Sequence, residues 1–211
     1  FLVFHSKTLF FLSFNQNLIK NVSFLDGETL KYKISYGATN KKRGMLLAGY
    51  ANFNLKDSIV KTTTEVHRIH GHGRTTKFFS FFMKVKHSYK SIITKKALNT
   101  IESNMEIVEG KYYNQNHTSF SVGKDKTQEC IIKTTQKKNN ENKNNETKIT
   151  DNIYGNDILG AFYKLRAMEH EKLIKKDTIF FSYYYNNKVF ESHFINLGEE
   201  MIETKFGTIK T

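Results

Sequence analysis

The clearest pattern in the chain is the alternation of apolar and polar residues between Thr29 and Tyr36. Apolar side chains occupy every second position, and lysine or serine occupies the positions between them. Successive side chains of a β-strand point to opposite faces, so this alternation predicts a half-buried strand of an antiparallel sheet. The face that we expect to be buried carries Leu30, Tyr32, Ile34 and Tyr36.

Short strand-like segments separated by turn residues follow along most of the chain. The predicted strands are Met45–Asn54, Lys61–His70, Lys86–Thr94, Glu102–Glu109, Lys111–Phe120, Gln128–Thr134, Thr178–Tyr185, Lys188–Asn196 and Met201–Lys210. Asp57-Ser58 is predicted as the turn between the second and third strands, and Asn186-Asn187 as a tight hairpin turn. Strands this short and regularly spaced favour a meander, in which each strand pairs with the next. We therefore expect a curled antiparallel sheet or half-barrel.

One segment has a helical period instead. Between Asn156 and Glu171 the apolar residues recur with the spacing of one helix face, and Asn156 or Asp157 can cap the first turn. The run Phe78–Met83 is the most apolar in the chain and is predicted either as a short buried turn of helix or as a core strand. The predicted fold class is therefore mainly β, a β-rich α+β fold with one amphipathic helix packed on the sheet.

The length of 211 residues suits a single domain. Residues 1–23 are predicted as an N-terminal extension or a signal-peptide remnant, because their apolar opening is shorter than the ~20 residues that span a bilayer. We do not expect an integral membrane protein. Residues 24–211 are predicted as one β-rich domain, and a polar stretch at about residues 136–150 as a disordered loop, since it has little apolar surface to bury.

The net charge suggests a nucleic-acid-binding protein, because 33 Lys+Arg against 20 Asp+Glu give +13. A basic surface attracts the phosphates of a nucleic-acid backbone. Only Arg43, Arg68, Arg74 and Arg166 are arginine, the residue that reads and stacks on bases. The lysines accompany abundant asparagine, isoleucine and phenylalanine without proline or tryptophan, a composition typical of AT-rich codons. Nucleic-acid binding is therefore the less favoured interpretation.

Candidate chemistry is sparse. Cys130 is the only cysteine, so neither an intramolecular disulfide nor a cysteine-based zinc cage can form. His70 and His72 would share one face of a strand, as metal ligands do, but the neighbouring arginines repel a cation. There is no Gly-x-Ser-x-Gly elbow for a nucleophile. We expect no enzymatic activity, no cofactor and no metal.

Aromatic residues are the remaining distinctive feature, since the chain has 18 Phe and 11 Tyr. A twisted sheet that curls around a helix would bring many of these onto its concave side. They would line either an apolar groove for an acyl chain or a plain aromatic core. The residues of the hypothetical ligand groove are Tyr32, Tyr36, Phe78, Phe81, Phe82, Tyr112, Phe162 and Tyr163.

Several segments together resemble one bacterial family. They are Gly27-Glu28-x-Leu30-x-Tyr32-x-Ile34-Ser35-Tyr36-Gly37, Gly73-x-Thr75 with Phe78-Phe79-Ser80-Phe81-Phe82, Glu109-Gly110-x-Tyr112, Asn156-Asp157-Ile158-Leu159-x-Ala161-Phe162-Tyr163-x-Leu165-Arg166, Asp177-Thr178-Ile179, and Leu197-Gly198-x-Glu200-x-Ile202-x-Thr204-x-x-Gly207. In this order they resemble the DUF3108 family of unknown function, which is common in Bacteroidetes. The chain departs from the family at Asn99, where a proline is usual nearby, and at Lys86-His87, where Arg-Asp is usual. Members also continue beyond the position of Thr211.

The resemblance implies a secreted or periplasmic, β-rich protein of the cell envelope, with a sheet like those of lipid-binding half-barrels, and it carries over no catalytic residues. Our leading hypothesis is a non-enzymatic envelope protein that binds lipid or a lipidated partner in an apolar groove. The alternative is a structural or interaction module that pairs a protein partner with an exposed C-terminal edge strand.

Overall fold

The computed structural model describes residues 23–36, 46–122, 130–138, 141–149, 156–168, 177–186, 188–204 and 207–210. Among these residues the main element is an open, eight-stranded antiparallel meander, in which each strand pairs with the next. Its strands are β1 (Thr29–Tyr36), β2 (Leu46–Val60), β3 (Thr64–Thr75), β4 (Val85–Thr94), β5 (Thr100–Glu109), β6 (Tyr112–Val122), β7 (Cys130–Lys138) and β8 (Glu141–Ile149). A short helix, α1 (Lys77–Phe82), connects β3 to β4.

A second layer packs on one side of this sheet. It consists of helix α2 (Ile158–Arg166) and strands β9 (Asn156–Asp157), β10 (Thr178–Tyr185) and β11 (Lys188–Ile195), with β10 paired to both other strands. Strands β12 (Met201–Thr204) and β13 (Gly207–Lys210) form a separate hairpin. The predicted fold class is confirmed, as a mainly β fold built on an antiparallel meander with α2 packed on it.

The strand register sorts the residues of the meander onto two faces, because residues directly opposite each other point the same way. Leu55 lies opposite Ile69, and Ile93 lies opposite His67, so these side chains share the face toward α2. We call it the inner face. The intervening residues, Lys56 and Arg68 among them, lie on the outer face.

The core forms where α2 lies on the inner face. Its buried residues are Phe24, Leu55, Ile69, Ile93, Leu98, Leu159, Tyr163 and Ala167. A second cluster of Phe120, Ile132 and Tyr184 lies between β6, β7 and β10. Burial of this apolar surface on both sides of the interface holds the two layers together.

Asp157 links the start of α2 to the meander. Its Oδ1 accepts hydrogen bonds from the backbone N–H of Gly160 at 2.9 Å, Ser91 Oγ at 2.8 Å and Thr100 Oγ1 at 2.9 Å. One carboxylate therefore caps the helix and ties it to β4 and β5. Burial raises the pKa of Asp157, and these hydrogen bonds oppose the increase.

Arg166 fixes the other end of α2. Its two terminal nitrogens each bond a carboxylate oxygen of Glu28 at 2.7 Å, a bidentate pair that is largely buried. The hydrogen bond from Arg166 lowers the pKa of Glu28 despite the burial. The guanidinium also lies 5.0 to 5.7 Å from the ring centroids of Phe24, Phe162 and Tyr163. These contacts hold the segment preceding β1 against the helix.

The prediction of a disordered loop at about residues 136–150 is wrong for the part of this segment that the structure describes. β7 continues to Lys138, and β8 covers Glu141–Ile149 and pairs with β7 along its length. Backbone hydrogen bonds form whatever the side chains are, so a polar sequence can occupy the edge of a sheet. The residues of β8 whose side chains are described are all exposed, which explains why they carry no apolar pattern.

Other boundaries also differ from the predictions. Asp57-Ser58 lies inside β2, and the turn is at Lys61 and Thr62, where φ is +49° and +64°. α2 ends at Arg166 rather than at Glu171, and Met201–Lys210 is a hairpin rather than one strand. The predicted N-terminal extension, apart from Ser23, and Asn187 of the predicted hairpin turn lie outside the described residues.

Candidate functional site

Helix α1 is anchored to the meander by hydroxyl and backbone groups. Thr76 caps it by accepting the N–H of Phe79, and its own N–H and hydroxyl donate to Ala48 O at 2.8 Å and Leu47 O at 3.1 Å. The Ser80 hydroxyl lies 2.8 Å from that of Thr75. These contacts turn the threonine and serine side of α1 toward the sheet.

Three of the four phenylalanines of α1 face solvent as a result. Phe78 is 62% exposed, Phe81 88% and Phe82 72%, and Met83 directly after the helix is 56% exposed. Phe82 contacts the rings of Phe78 and Phe81, with centroids 5.7 and 5.6 Å apart. We call these four residues the phenylalanine patch. The prediction that this run is buried is wrong, because α1 uses its hydroxyl-bearing side for the sheet and no residue of the helix is buried.

A groove of about 690 Å³ lies beside α1. It is lined by Tyr50, His72, Arg74, Thr75, Thr76, Lys77, Ser80, Lys84, Val85 and Lys86. Four of these side chains are lysine or arginine, one is histidine and four carry hydroxyl groups. Its lining includes no acidic residue. We call this feature the cationic groove.

Sheet register creates the cationic groove. Arg74 of β3 lies directly opposite Tyr50 of β2 on one side and Lys86 of β4 on the other. Like charges directly opposite each other in a sheet are destabilising. Within the described part of the chain, none of the groove's lysines and arginine has an ion-pair partner. The groove therefore keeps a positive potential that favours an anionic ligand.

Basic residues are concentrated on this part of the outer face. Beyond the groove, Lys56 lies opposite Arg68, and Lys90 lies opposite His70. The next strand carries acidic residues instead, since Glu102 and Glu106 of β5 share the outer face with them. The charge is thus not spread evenly, and the nucleic-acid hypothesis stays a prediction.

The sequence profile of a family described as "Protein of unknown function (DUF3108)" matches residues 31–211, nearly the whole chain. The chain belongs to the DUF3108 family. This confirms the resemblance drawn from the sequence segments. No curated protein and no solved structure matched the chain. Among the described residues of this family member, no helix combines the length and apolar character needed to cross a membrane.

The eight residues predicted for a ligand groove fall into two groups in this DUF3108 chain. The first group lies at α2. Tyr32 contacts Phe53 at 5.8 Å, and Phe53 contacts Phe162 at 5.9 Å between centroids. Tyr163 is fully buried, donates its hydroxyl to Glu28 at 3.3 Å, and has its pKa raised to about 12 by burial.

The second group lies at the α1 end of the meander. It contains Tyr36, Phe78, Phe81, Phe82 and Tyr112. Tyr36 pairs with Leu46 at the start of β2, and Tyr112 pairs with Glu109 beside the β5–β6 turn. That turn is joined to the residues after α1, because the N–H of Gly110 donates to Lys84 O at 2.8 Å. The structure therefore brings the predicted residues of this group to one end of the sheet.

A cavity near Tyr89, Asn116 and Tyr184 has a volume of about 20 Å³, the size of one water molecule. Among the residues that the structure describes, the buried Oδ1 of Asn116 has no hydrogen-bond partner. In the first group, Tyr163 belongs to the core and Phe162 packs against it, which favours the aromatic-core interpretation for these two residues, whereas Tyr32 is exposed.

His70 and His72, the candidate metal ligands, share the outer face of β3, as predicted from their spacing. Their ring centroids are 6.4 Å apart, and His70 Nε2 contacts Ser88 Oγ at 3.2 Å. Burial, Lys90 and His72 lower the pKa of His70. The described residues contain no group of three or more histidine, cysteine, aspartate or glutamate residues able to hold a metal. The side chain of Cys130 lies outside the described part.

Sequence reasoning did not find the cationic groove, although part of its signal was visible. Arg68, His70, His72 and Arg74 alternate along β3, which places all four on one face. That spacing was interpreted as a weak metal site. The groove also needs Lys86 from β4 and residues of α1, and only the strand register brings them together.

Proposed function

We propose that this chain is a non-enzymatic protein of the bacterial cell envelope, facing the periplasm, that binds lipid through the phenylalanine patch. The observation that carries the proposal is the exposure of Phe78, Phe81 and Phe82 on a helix whose other side is anchored to the sheet. An exposed cluster of large apolar side chains is uncommon on a water-soluble domain and indicates an apolar partner.

The neighbouring charges support lipid as that partner. Lys77 and Lys84 flank the patch in sequence, and Arg74 and Lys86 line the groove beside it. Amphipathic elements that enter a membrane interface combine aromatic residues with lysine and arginine in this manner. The phenylalanine rings would enter the acyl region while the cations remain among the headgroups.

The envelope location rests on the family resemblance, which implies a secreted or periplasmic protein. A periplasmic protein is exposed to membrane surfaces and to lipidated proteins. A lipid-contacting patch on a folded sheet domain is consistent with that setting.

The alternative, a structural or interaction module that pairs a protein partner with an exposed C-terminal edge strand, stays a prediction, and strand pairing is disfavoured at the N-terminal edge strand of the meander, β1. At the β1 edge of the meander, Lys31 and Lys33 alternate along the strand. Charged residues of this kind discourage the addition of another strand.

Phe81→Ser is expected to weaken binding to phospholipid vesicles by about 30-fold, because full burial of a phenylalanine contributes about 2 kcal/mol. Phe81 is 88% exposed, so the variant should keep the stability of the parent chain. Vesicle co-sedimentation over a range of lipid concentrations measures the effect, and urea unfolding checks the fold.

Phe180→Ser is the matched control. Phe180 is also an exposed phenylalanine, at 51%, but it lies on β10 away from α1. It should bind vesicles as the parent chain does. Equal binding by all three proteins, or an equal loss in both variants, would refute the proposal.

A further inference from the structure

We infer that the cationic groove binds the phosphate of an anionic phospholipid headgroup while the acyl chains of the same lipid layer contact the phenylalanine patch. This rests on the proposed lipid function and names the lipid class that it selects. The groove and the patch are joined through α1, since Lys77 and Ser80 line the groove and Phe78, Phe81 and Phe82 lie on the same six-residue helix.

The groove has the donors that a phosphate needs. Arg74 offers a planar guanidinium that can bind two phosphate oxygens at once, and Lys86 stands directly across the strand pair from it. Lys77 and Lys84 approach from the two ends of α1. The hydroxyl group of Tyr50 adds a neutral donor.

Charge is what makes an anion the preferred occupant. Arg74 and Lys86 repel each other across β3 and β4, and neither forms an ion pair within the described residues. A bound phosphate relieves that repulsion. Its negative charge would also lie at the level of the membrane where headgroup phosphates are found when the phenylalanine patch is inserted.

The volume of the groove is about 690 Å³, which lies within the usual range of small-ligand sites. It is large enough to accommodate a phosphoglycerol headgroup. A free phosphate ion would leave most of it unfilled. The apolar patch next to it has no role for a free ion or for a nucleic-acid backbone. A lipid uses both features.

The test compares two double variants on vesicles of phosphatidylcholine alone and of equal parts phosphatidylcholine and phosphatidylglycerol. Arg74→Gln with Lys86→Gln removes two charges from the groove. Lys56→Gln with Arg68→Gln removes the same two charges from a directly opposed pair on β2 and β3, outside the groove. All four residues are exposed, so both double variants should fold.

The groove variant is expected to lose about 30-fold in affinity for the anionic vesicles, and the control less than about threefold. Both should bind neutral vesicles as the parent does. An equal loss in the two double variants would overturn the inference in favour of unspecific charge. Release of the parent from anionic vesicles by millimolar inorganic phosphate, at matched ionic strength, would overturn the inference in favour of a free anion. Release by a single-stranded oligonucleotide would overturn it in favour of nucleic acid.

Failure of this inference differs from failure of the proposed function. If the parent binds neutral and anionic vesicles equally and Phe81→Ser still weakens both, the phenylalanine patch binds lipid and the groove does not select it. If the parent binds neither vesicle, the proposed function itself fails.

Discussion

Asp157→Ala is expected to lower the free energy of unfolding by about 3 kcal/mol, the largest effect that we predict for a single side chain. The carboxylate caps α2 at Gly160 and accepts the hydroxyls of Ser91 and Thr100. Its removal leaves the buried Ser91 hydroxyl without this acceptor, which costs more than the bond itself contributes, and leaves Thr100 Oγ1 with its longer bond to Asn156 Oδ1 at 3.2 Å. Relief from burying the carboxyl group, whose pKa is raised by that burial, offsets part of the loss.

Asp157→Ser separates the two roles of this side chain. Serine is a good N-cap, so it should still accept the N–H of Gly160, but its short side chain does not extend to β4 and β5 as the aspartate does. We expect a loss of about 2 kcal/mol, smaller than that of the alanine variant. Urea unfolding measures both. A loss below about 1 kcal/mol for Asp157→Ala would contradict the view that this carboxylate ties the two layers together.

Lys164→Met is expected to remove a rise in stability that the parent chain shows above pH 8. Lys164 lies on α2, is buried, and donates to Asn99 Oδ1 at 2.9 Å. Burial lowers its pKa from 10.5 to about 8. An ammonium group held in such a site costs stability as long as it stays protonated.

The pH dependence follows from the direction of that shift. Below about 8 the lysine is protonated in both states, and the folded state bears the full cost. Between about 8 and 10.5 the folded protein loses this proton first, so the free energy of unfolding rises, by up to about 3 kcal/mol. Methionine has no charge to bury. At neutral pH the variant should therefore be about 1 kcal/mol more stable, after the lost bond to Asn99 is counted.

Lys96→Met is the control for this prediction, since Lys96 is an exposed lysine. Urea unfolding of the three proteins across the alkaline range separates the contribution of Lys164 from the general loss of positive charge. The control should follow the parent. Parallel curves for the parent and Lys164→Met would show that the buried ammonium is not the source of the rise.

The meander was predictable because most of its strands carry a local pattern. Thr29–Tyr36 alternates strictly, and the predicted and observed bounds of β1 agree. The prediction that its apolar face is buried is wrong, because in this edge strand Leu30 is only partly covered and Tyr32, Ile34 and Tyr36 are exposed. β8 carries no such pattern, because an edge strand with exposed side chains needs only backbone bonds from its neighbour. α2 was found from its period, and its capping residue was one of the two proposed. Its length was overestimated, because the helix ends where Arg166 binds Glu28.

The candidate site was less predictable, because it depends on which surfaces meet. The run from Phe78 to Phe82 is the most apolar in the chain, which normally indicates a core segment. Here Thr76 and Ser80 make the contacts to the sheet, and the rings are left outside. The groove joins side chains from β2, β3, β4 and α1. Only the register of the strands, which no local pattern specifies, places Arg74 against Lys86.

The most direct test of the central claim uses the absence of tryptophan from the chain. Phe81→Trp makes a single-tryptophan protein whose emission reports the surroundings of the phenylalanine patch, and Phe180→Trp does the same for an exposed position on β10. On addition of phosphatidylcholine–phosphatidylglycerol vesicles, we expect the emission of Phe81→Trp to shift to the blue and to be quenched by lipids brominated on their acyl chains, with no change for Phe180→Trp. An emission that stays at the position of a water-exposed indole, unquenched by those lipids, would contradict the account.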